Sequence, residues 1–329
     1  MNDVSKFLKN LSKSLDVTVS DMRDIETLKL EVIPTGSYTL DLALGVGGYP
    51  RGRLVEVFGK EASGKTLLSI LAIAEAQKLG GKAAFIDMEH AFDPFWAASH
   101  GVDVDSLTFV QPNYGEQALQ IAEEFIKSKM YDIIVIDSTA ALIPKAELEA
   151  DMEQQSMGLQ ARMMSKGCRK LTAHLGNQSR TVVLFINQIR SDLMVKYGNP
   201  ETTSGGKALK FYSSVRLKVG RVSGSEQKGT DKTIVGHTVK VRVEKNKVAP
   251  PFKEATFALN YYTGVDRINE LVDIGLSTGK IEQNVSIYKF DGQSWKGREA
   301  LVEAFKAEEK LRNKLLELVR APVITEELT

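Results

Sequence analysis

Short apolar runs alternate with amphipathic stretches along most of the chain. Leu54 to Phe58, Ala83 to Ile86, Ile133 to Ile136 and Val182 to Ile186 are too short for helices and are almost wholly apolar. That pattern predicts strands buried on both faces of a sheet. Between them, Lys65 to Leu79, Glu116 to Lys129 and Met157 to Leu175 repeat their apolar residues at helical spacing. Strand and helix in alternation predict an α/β fold, a parallel sheet covered by helices. After Arg216 the period changes. Val215 to Val219, Thr238 to Glu244 and Thr256 to Leu259 read as consecutive strands separated by the turn-rich Gly220 to Thr233, an antiparallel extension of the sheet.

The ends are built differently. Val4, Phe7, Leu8, Leu11 and Leu15 form one apolar stripe of a short helix, capped by Asn2 or Asp3. A polar arm, Val17 to Glu26, follows and would fold back on its own core or dock on a neighbouring subunit. Near Arg267 a small final unit begins. It has a helix bearing Ile268, Leu271 and Val272, a hairpin at Asp291-Gly292 and one long helix from about Arg298 to Arg320. Three parts are expected: an arm over 1–32, a core over 33–266 and a small α+β domain over 267–329.

Composition changes this picture little. The 329 residues carry 43 Lys and Arg against 42 Asp and Glu, so any nucleic-acid contact must come from local charge. The lone Cys168 excludes an internal disulfide, fits a reducing cytosol and reads as a packing residue. No apolar run approaches the roughly 20 residues of a membrane span, and the N-terminus lacks a signal-peptide block, so a cytoplasmic, soluble protein is expected.

Gly59-Lys60-Glu61-Ala62-Ser63-Gly64-Lys65-Thr66 is a complete GxxxxGK[ST] phosphate-binding loop, preceded by a strand and followed by a helix. Its glycines let backbone amides face phosphate oxygens, Lys65 is placed to reach the β and γ phosphates, and Thr66 offers a hydroxyl to Mg²⁺. Asp137 ends an apolar strand, the usual place for the carboxylate that holds the metal-bound water. A third carboxylate would polarise the attacking water, and spacing alone leaves Asp87 and Glu89 in competition.

Further motifs run in order from about residue 33 to 276. They are Thr35-Gly36-Ser37 with Leu40-Asp41, Phe85 to Ala91, Met157-Gly158-Leu159-Gln160-Ala161-Arg162-Met163-Met164, Phe185 to Arg190, Gly198 to Gly206, and Lys245-Asn246-Lys247 followed by Pro251-Phe252. Together with the phosphate loop they resemble the bacterial and phage RecA recombinase family. The resemblance implies an ATP- and Mg²⁺-dependent DNA recombinase. Such a protein forms a helical homo-filament on single-stranded DNA, pairs it with a homologous duplex and serves recombination and repair. Single-strand-binding and loader proteins are further candidate partners, and no membrane is involved.

By the same resemblance Glu89 is the water-activating glutamate. Asp93, Trp96 and Tyr261 contact the adenine side, and Leu67 completes the nucleotide contacts. Gln188 senses the γ-phosphate, and Lys245 and Lys247 reach the ATP of an adjacent subunit. Two DNA loops are implied, at about 149–158 and 190–206. Arg162, Arg169, Arg190 and Lys207 would meet phosphates. Gly158, Asn199, Thr202, Thr203, Gly205 and Gly206 would supply polar and backbone contacts. Met157 and Leu193 would wedge between bases. From Lys207 to Lys253, twelve basic residues face three acids, a local basic stretch.

Some positions depart from the family. Lys60, Ala62 and Leu67 replace proline, serine and a second threonine. Ser191-Asp192 replaces an apolar–basic pair, Lys207 an asparagine. The glycine-bearing segment after the first helix is missing, and no acidic tail follows Thr329, which predicts easier duplex capture. Other readings compete on the phosphate loop alone: a RecA-fold motor such as a ring helicase, a binding module switched by ATP with little hydrolysis, or a small-molecule kinase.

Overall fold

The computed structural model describes residues 3–15, 30–151, 158–176, 178–191, 201–229 and 232–320. They fall into two compact units, divided between Glu31 and Val32. The first holds one helix, α1 (Asp3–Leu15); the polar arm after it lies outside the described residues.

The second unit begins with β1 (Val32–Ile33), α2 (Tyr38–Leu44), β2 (Tyr49–Pro50), β3 (Leu54–Gly59), α3 (Lys65–Lys78) and β4 (Ala83–Asp87). It continues with α4 (Pro94–Ser99), β5 (Thr108–Val110), α5 (Gly115–Ser128), β6 (Ile133–Asp137), α6 (Lys145–Leu148) and α7 (Leu159–His174). Then come β7 (Val182–Ser191), β8 (Glu201–Thr203), α8 (Ala208–Tyr212), β9 (Val215–Arg221), β10 (Gln227–Lys228), β11 (Ile234–Asn246), β12 (Glu254–Asn260) and β13 (Gly264–Val265). The chain closes with α9 (Arg267–Ser277), β14 (Glu282–Asn284), β15 (Ile287–Phe290), β16 (Gln293–Lys296), α10 (Arg298–Ala307) and α11 (Glu309–Arg320).

The main sheet runs β13-β12-β11-β9-β3-β7-β6-β4-β5. The strands from β9 to β5 are mutually parallel, and β11, β12 and β13 extend the sheet antiparallel. The extension therefore starts one strand later than the sequence pattern suggests, because β9 pairs parallel with β3. Alternate residues of each strand feed two cores. Val55, Val57, Phe85, Ile133, Val135, Leu184 and Ile186 pack on one face against α3. Leu54, Ala84, Ile86, Ile134, Ile136, Val183 and Phe185 pack on the other against α5 and α7. Helix α3 is buried at ten of its positions, as expected of a helix between sheet and neighbouring segments. Cys168 sits in the second core, where burial pushes its thiol up to about 12.

A third core holds Leu271, Val272, Ile281, Tyr288, Phe290, Leu301, Phe305, Leu311 and Leu315, with Tyr38 and Leu42 of α2 packed on it. Glu270 fixes α9 to the start of α2. Its carboxylate accepts from Ser37 Oγ at 2.6 Å and from the Tyr38 amide at 3.1 Å. Arg267 stacks over Tyr38 at 4.5 Å and pairs with Glu75 at 2.7 Å. The hairpin turn at Asp291-Gly292 has φ of 51° and 74°, the left-handed pair that a two-residue hairpin requires. The single long helix expected from Arg298 is two helices, broken where Glu308 is extended (φ −108°, ψ 101°). The reason is phase. Leu301, Val302 and Phe305 set a buried stripe, and an unbroken helix would turn Glu308, Glu309 and Arg312 inward. The break instead brings Leu311, Leu315 and Val319 onto the core.

Candidate nucleotide and DNA site

The phosphate loop leaves β3 at its carboxyl end and enters α3. A Cβ on Gly59 would stand 2.1 Å from the Val219 carbonyl, so β9 leaves room there only for glycine. Gly64 (φ 97°) turns the chain into α3, whose first turn carries no side-chain cap. The amides of Lys65, Thr66 and Leu67 therefore begin a helix with no side-chain cap and no acidic residue in its first turn. Lys60, Glu61 and Ala62 lie exposed at the loop's tip, and Ser63 is buried beneath it. Lys65 Nζ donates to the Lys60 carbonyl at 2.7 Å. Burial lowers its affinity for a proton, against the pull of Asp137, Glu89 and Glu61.

Thr66 Oγ1 donates to Asp137 Oδ2 at 2.9 Å, which joins the two residues expected to hold Mg²⁺. Burial pushes the Asp137 carboxyl up to about 7, with Glu89 and Asp87 adding to the rise and the Thr66 hydrogen bond opposing it. A hydroxyl beside a carboxylate under negative pressure is a donor set suited to a small, hard cation.

The two competing carboxylates have different surroundings. Asp87 accepts amides from Glu89 at 3.1 Å and Phe92 at 3.3 Å, and the Gln111 Nε2 at 3.1 Å, so it braces the loop after β4. Glu89 is exposed and turns toward the end of β7. Gln188 Nε2 donates to Glu89 Oε1 at 3.0 Å, and Ser138 Oγ donates to the same oxygen. Gly59 and Gln188 are register partners in the sheet, so this pair stands directly beside the phosphate loop.

On the adenine side, Asp93 caps α4, accepting from the Phe95 and Trp96 amides at 2.9 and 3.1 Å. Trp96 Nε1 donates to the Tyr261 carbonyl at 3.0 Å, and the Tyr261 hydroxyl lies 3.0 Å from His237 Nδ1. Trp96 and Tyr261 are thus tied together, and Asp93 starts the helix that carries the indole. Lys245 and Lys247 stand elsewhere. Val241 lies level with Val219 and Gly59, and Lys245, past a bulge in β11, lies level with Arg216 and Glu56, three strand positions back. At about 3.3 Å per residue that is roughly 10 Å from the loop's level. Lys245 Nζ donates to the Lys210 and Phe211 carbonyls at 2.8 and 2.9 Å, and Lys247 is exposed.

The stems of the two expected DNA loops meet. Gly158 (φ 79°) opens α7, and Arg162 and Arg169 project from that helix to solvent with no ion pair among the described residues. Residues 190–206 are not one open connection. β7 runs on to Ser191 and pairs with β8 through Ile189 with Thr203 and Arg190 with Thr202. Arg190 Nε donates to Ser204 Oγ at 3.0 Å. The chain then turns through Gly205 (φ 80°) and Gly206 (φ 74°) against α7, ahead of exposed Lys207. Gln160 stitches the stems together. Its Nε2 donates to the Thr139 and Leu142 carbonyls at 3.1 and 3.2 Å, and its Oε1 accepts the Gly205 amide at 3.2 Å. Met157, Leu193 and Asn199 lie outside the described residues.

The basic stretch from Lys207 is partly neutralised. Arg216, Lys218, Arg221, Lys240 and Arg242 each pair with a glutamate. Arg216 is buried with Glu56, and the other four belong to an ordinary strand surface. Sequence patterns singled out neither Gln160's stitching nor Ser138, Asn187 and the buried Glu56. Apart from the Gln188 amide on Asn187, their partners lie 17 to 160 positions away, and no local spacing reports such pairs.

Among the described residues no helix is long and apolar enough to cross a membrane. A family model of the RecA N-terminal domain matches residues 3–266. Protein RecA of Bacteroides thetaiotaomicron is 50% identical over 317 residues, which cover 96% of this chain and 94% of the relative. Protein RecA of Francisella tularensis subsp. novicida is 52% identical over 295 residues, 88% of this chain and 81% of the relative. With the loop, the carboxylates and the paired stems in place, these likenesses mean that the chain belongs to the bacterial RecA family of DNA recombinases.

Proposed function

We propose that this chain is a DNA-dependent ATPase that polymerises on single-stranded DNA and drives exchange with a homologous duplex. The observation that carries the reading is the 3.0 Å hydrogen bond from Gln188 to Glu89. It joins the carboxylate best placed to activate water to the strand that becomes the second loop's stem. Nucleotide state and DNA occupancy then share one element.

In this reading the Gly59–Leu67 loop holds the phosphates of ATP, with Lys65 on the β and γ groups. Trp96 and Tyr261 cover the adenine, and Asp93 positions that wall. Thr66 and Asp137 hold Mg²⁺, which when bound supplies positive charge to the phosphate oxygens. Glu89 orients the attacking water and takes its proton, the γ-phosphoryl group is released as phosphate, and ADP remains. Asp87 is the brace of the Glu89 loop, since its oxygens are committed to amides. Lys245 and Lys247 are distant from their own phosphate loop and serve the nucleotide of the next subunit, which makes the nucleotide part of a filament contact.

Arg162, Arg169, Arg190 and Lys207 meet DNA phosphates. Gly158, Thr202, Thr203, Gly205 and Gly206 line the path, and Met157, Leu193 and Asn199 complete it. Contacts of this kind are indifferent to sequence, as homology searching requires. Residues 1–32, 33–266 and 267–329 serve as arm, core and accessory domain.

The test is electron microscopy of the full chain with Mg²⁺, a non-hydrolysable ATP analogue and single-stranded DNA. Open helical filaments are expected. Closed rings would favour a RecA-fold motor, and absence of assembly would leave only the nucleotide site standing.

A further inference from the structure

Glu56 is a fully buried carboxylate in the central strand β3, three residues before the phosphate loop. Its Oε2 accepts from Arg216 Nε on β9, and its Oε1 accepts from Asn187 Nδ2 on β7 at 2.9 Å. Asn187 is itself fully buried and fully committed. Its Nδ2 also donates to the Ser204 carbonyl at 3.1 Å, and its Oδ1 accepts the Gln188 amide at 2.9 Å. The Arg216 guanidinium lies 4.5 Å over the Phe58 ring.

A parallel sheet has no need of this cluster. Leu54, on the same face of the same strand, packs as an ordinary apolar residue. Apolar side chains in place of a buried ion pair are often as stable or more so. What the cluster does supply is a connection. Asn187 and Gln188 are consecutive on β7, so their side chains leave opposite faces of the sheet. Gln188 reaches Glu89 on one side. On the other, Asn187 reaches Ser204, which follows β8, precedes Gly205-Gly206 and accepts from Arg190. A shift of the β7 end that moves Gln188 must move Asn187, which then loses Glu56 or drags Ser204. Glu56, held by Arg216 from a third strand, is the fixed end.

We infer that Glu56 is a positioning residue that sets the second loop's return against the nucleotide-sensing end of β7. Stimulation of ATP turnover by DNA passes through Glu56, Asn187 and Ser204. The inference rests on the proposed function, in which Gln188 senses nucleotide and residues 190–206 hold DNA.

The test uses the full chain carrying Glu56→Gln, and separately the apolar pair Glu56→Leu with Arg216→Met, which removes the charges while filling the space. Circular dichroism and thermal melting check the fold. A fluorescent ADP analogue reports nucleotide affinity without DNA, and ATP turnover is followed with and without a poly-dT oligonucleotide. The expected result is unchanged nucleotide affinity and DNA-free turnover, with the stimulation ratio reduced about tenfold and more oligonucleotide needed for half-maximal effect. A wild-type stimulation ratio in either folded variant overturns the inference. So does a parallel fall of nucleotide affinity and both turnover rates, or failure of both variants to fold, because Glu56 would then be a structural residue only. If the unaltered chain shows no stimulation by DNA, the proposed function itself fails.

Discussion

Gln160 offers the sharpest perturbation of the expected DNA grip. Gln160→Leu keeps the side chain's approximate volume and removes all three of its hydrogen bonds. The Thr139 carbonyl keeps the Leu142 amide as a partner at 3.3 Å. The Gly205 amide and the Leu142 carbonyl lose the partners they have here. Two orphaned groups at about 1 kcal/mol each give about 2 kcal/mol, or roughly 30-fold in an equilibrium constant. That cost falls on the junction of the two stems, because Gln160, at the start of α7, links the turn after β6 to the Gly205 turn. The affinity for a fluorescently labelled single-stranded oligonucleotide, measured by anisotropy with a non-hydrolysable ATP analogue, should therefore fall by about 30-fold. Affinity for the nucleotide alone should not change. Two results would refute the reasoning: oligonucleotide affinity equal to that of the unaltered chain, or nucleotide affinity that drops in step with it.

Three further outcomes are expected. The two tryptophans are Trp96 and Trp295; if the indole of Trp96 covers the adenine, a Mg²⁺–ATP analogue changes the emission of the chain, and Trp96→Phe abolishes that change without abolishing binding. The Glu123 carboxyl is held down to about 2 by hydrogen bonds from Lys127 and Lys170, against an ordinary 4.5. Its folded affinity for protons is depressed, so its stabilisation is complete above about pH 4.5 and fades as pH falls toward 2; in urea titrations the gap between the unaltered chain and Glu123→Gln should hold steady from pH 7 to 5 and narrow below that. Cys168, buried with its thiol raised to about 12, should react with a disulfide reagent far more slowly in the folded chain than in urea; equal rates would place it at the surface.

Much of the architecture is legible because it obeys short periods. Ile133 to Ile136 and Val182 to Ile186 read as doubly buried strands, and their side chains do divide between two cores. The phosphate loop is legible because its glycines, lysine and threonine sit at fixed spacing between strand and helix. What escapes the sequence depends on partners far along the chain. Asp87 and Glu89 are equivalent by spacing; the family resemblance favours Glu89, and the amides of Glu89 and Phe92 against Asp87, with Gln188 against Glu89, supply the physical distinction. The ribbon between β7 and β8 was hidden in a stretch rich in turn formers. The helix break at Glu308 follows from the phase of Phe305 and Leu311, six residues apart rather than three, four or seven. Three of the twelve basic residues from Lys207 to Lys253 face Glu56, Glu201 and Glu254, acids that lie outside that stretch of sequence.

The central claim is that nucleotide binding and a grip on unpaired DNA combine to exchange strands by homology. The direct measurement is a strand-exchange reaction between circular single-stranded DNA and linear duplex, run with ATP and Mg²⁺ and followed on a gel. Joined and exchanged products should form only when the two DNAs share sequence, and should vanish with Lys65→Ala. Absence of product with homologous DNA, or strand separation that ignores homology, would contradict the account.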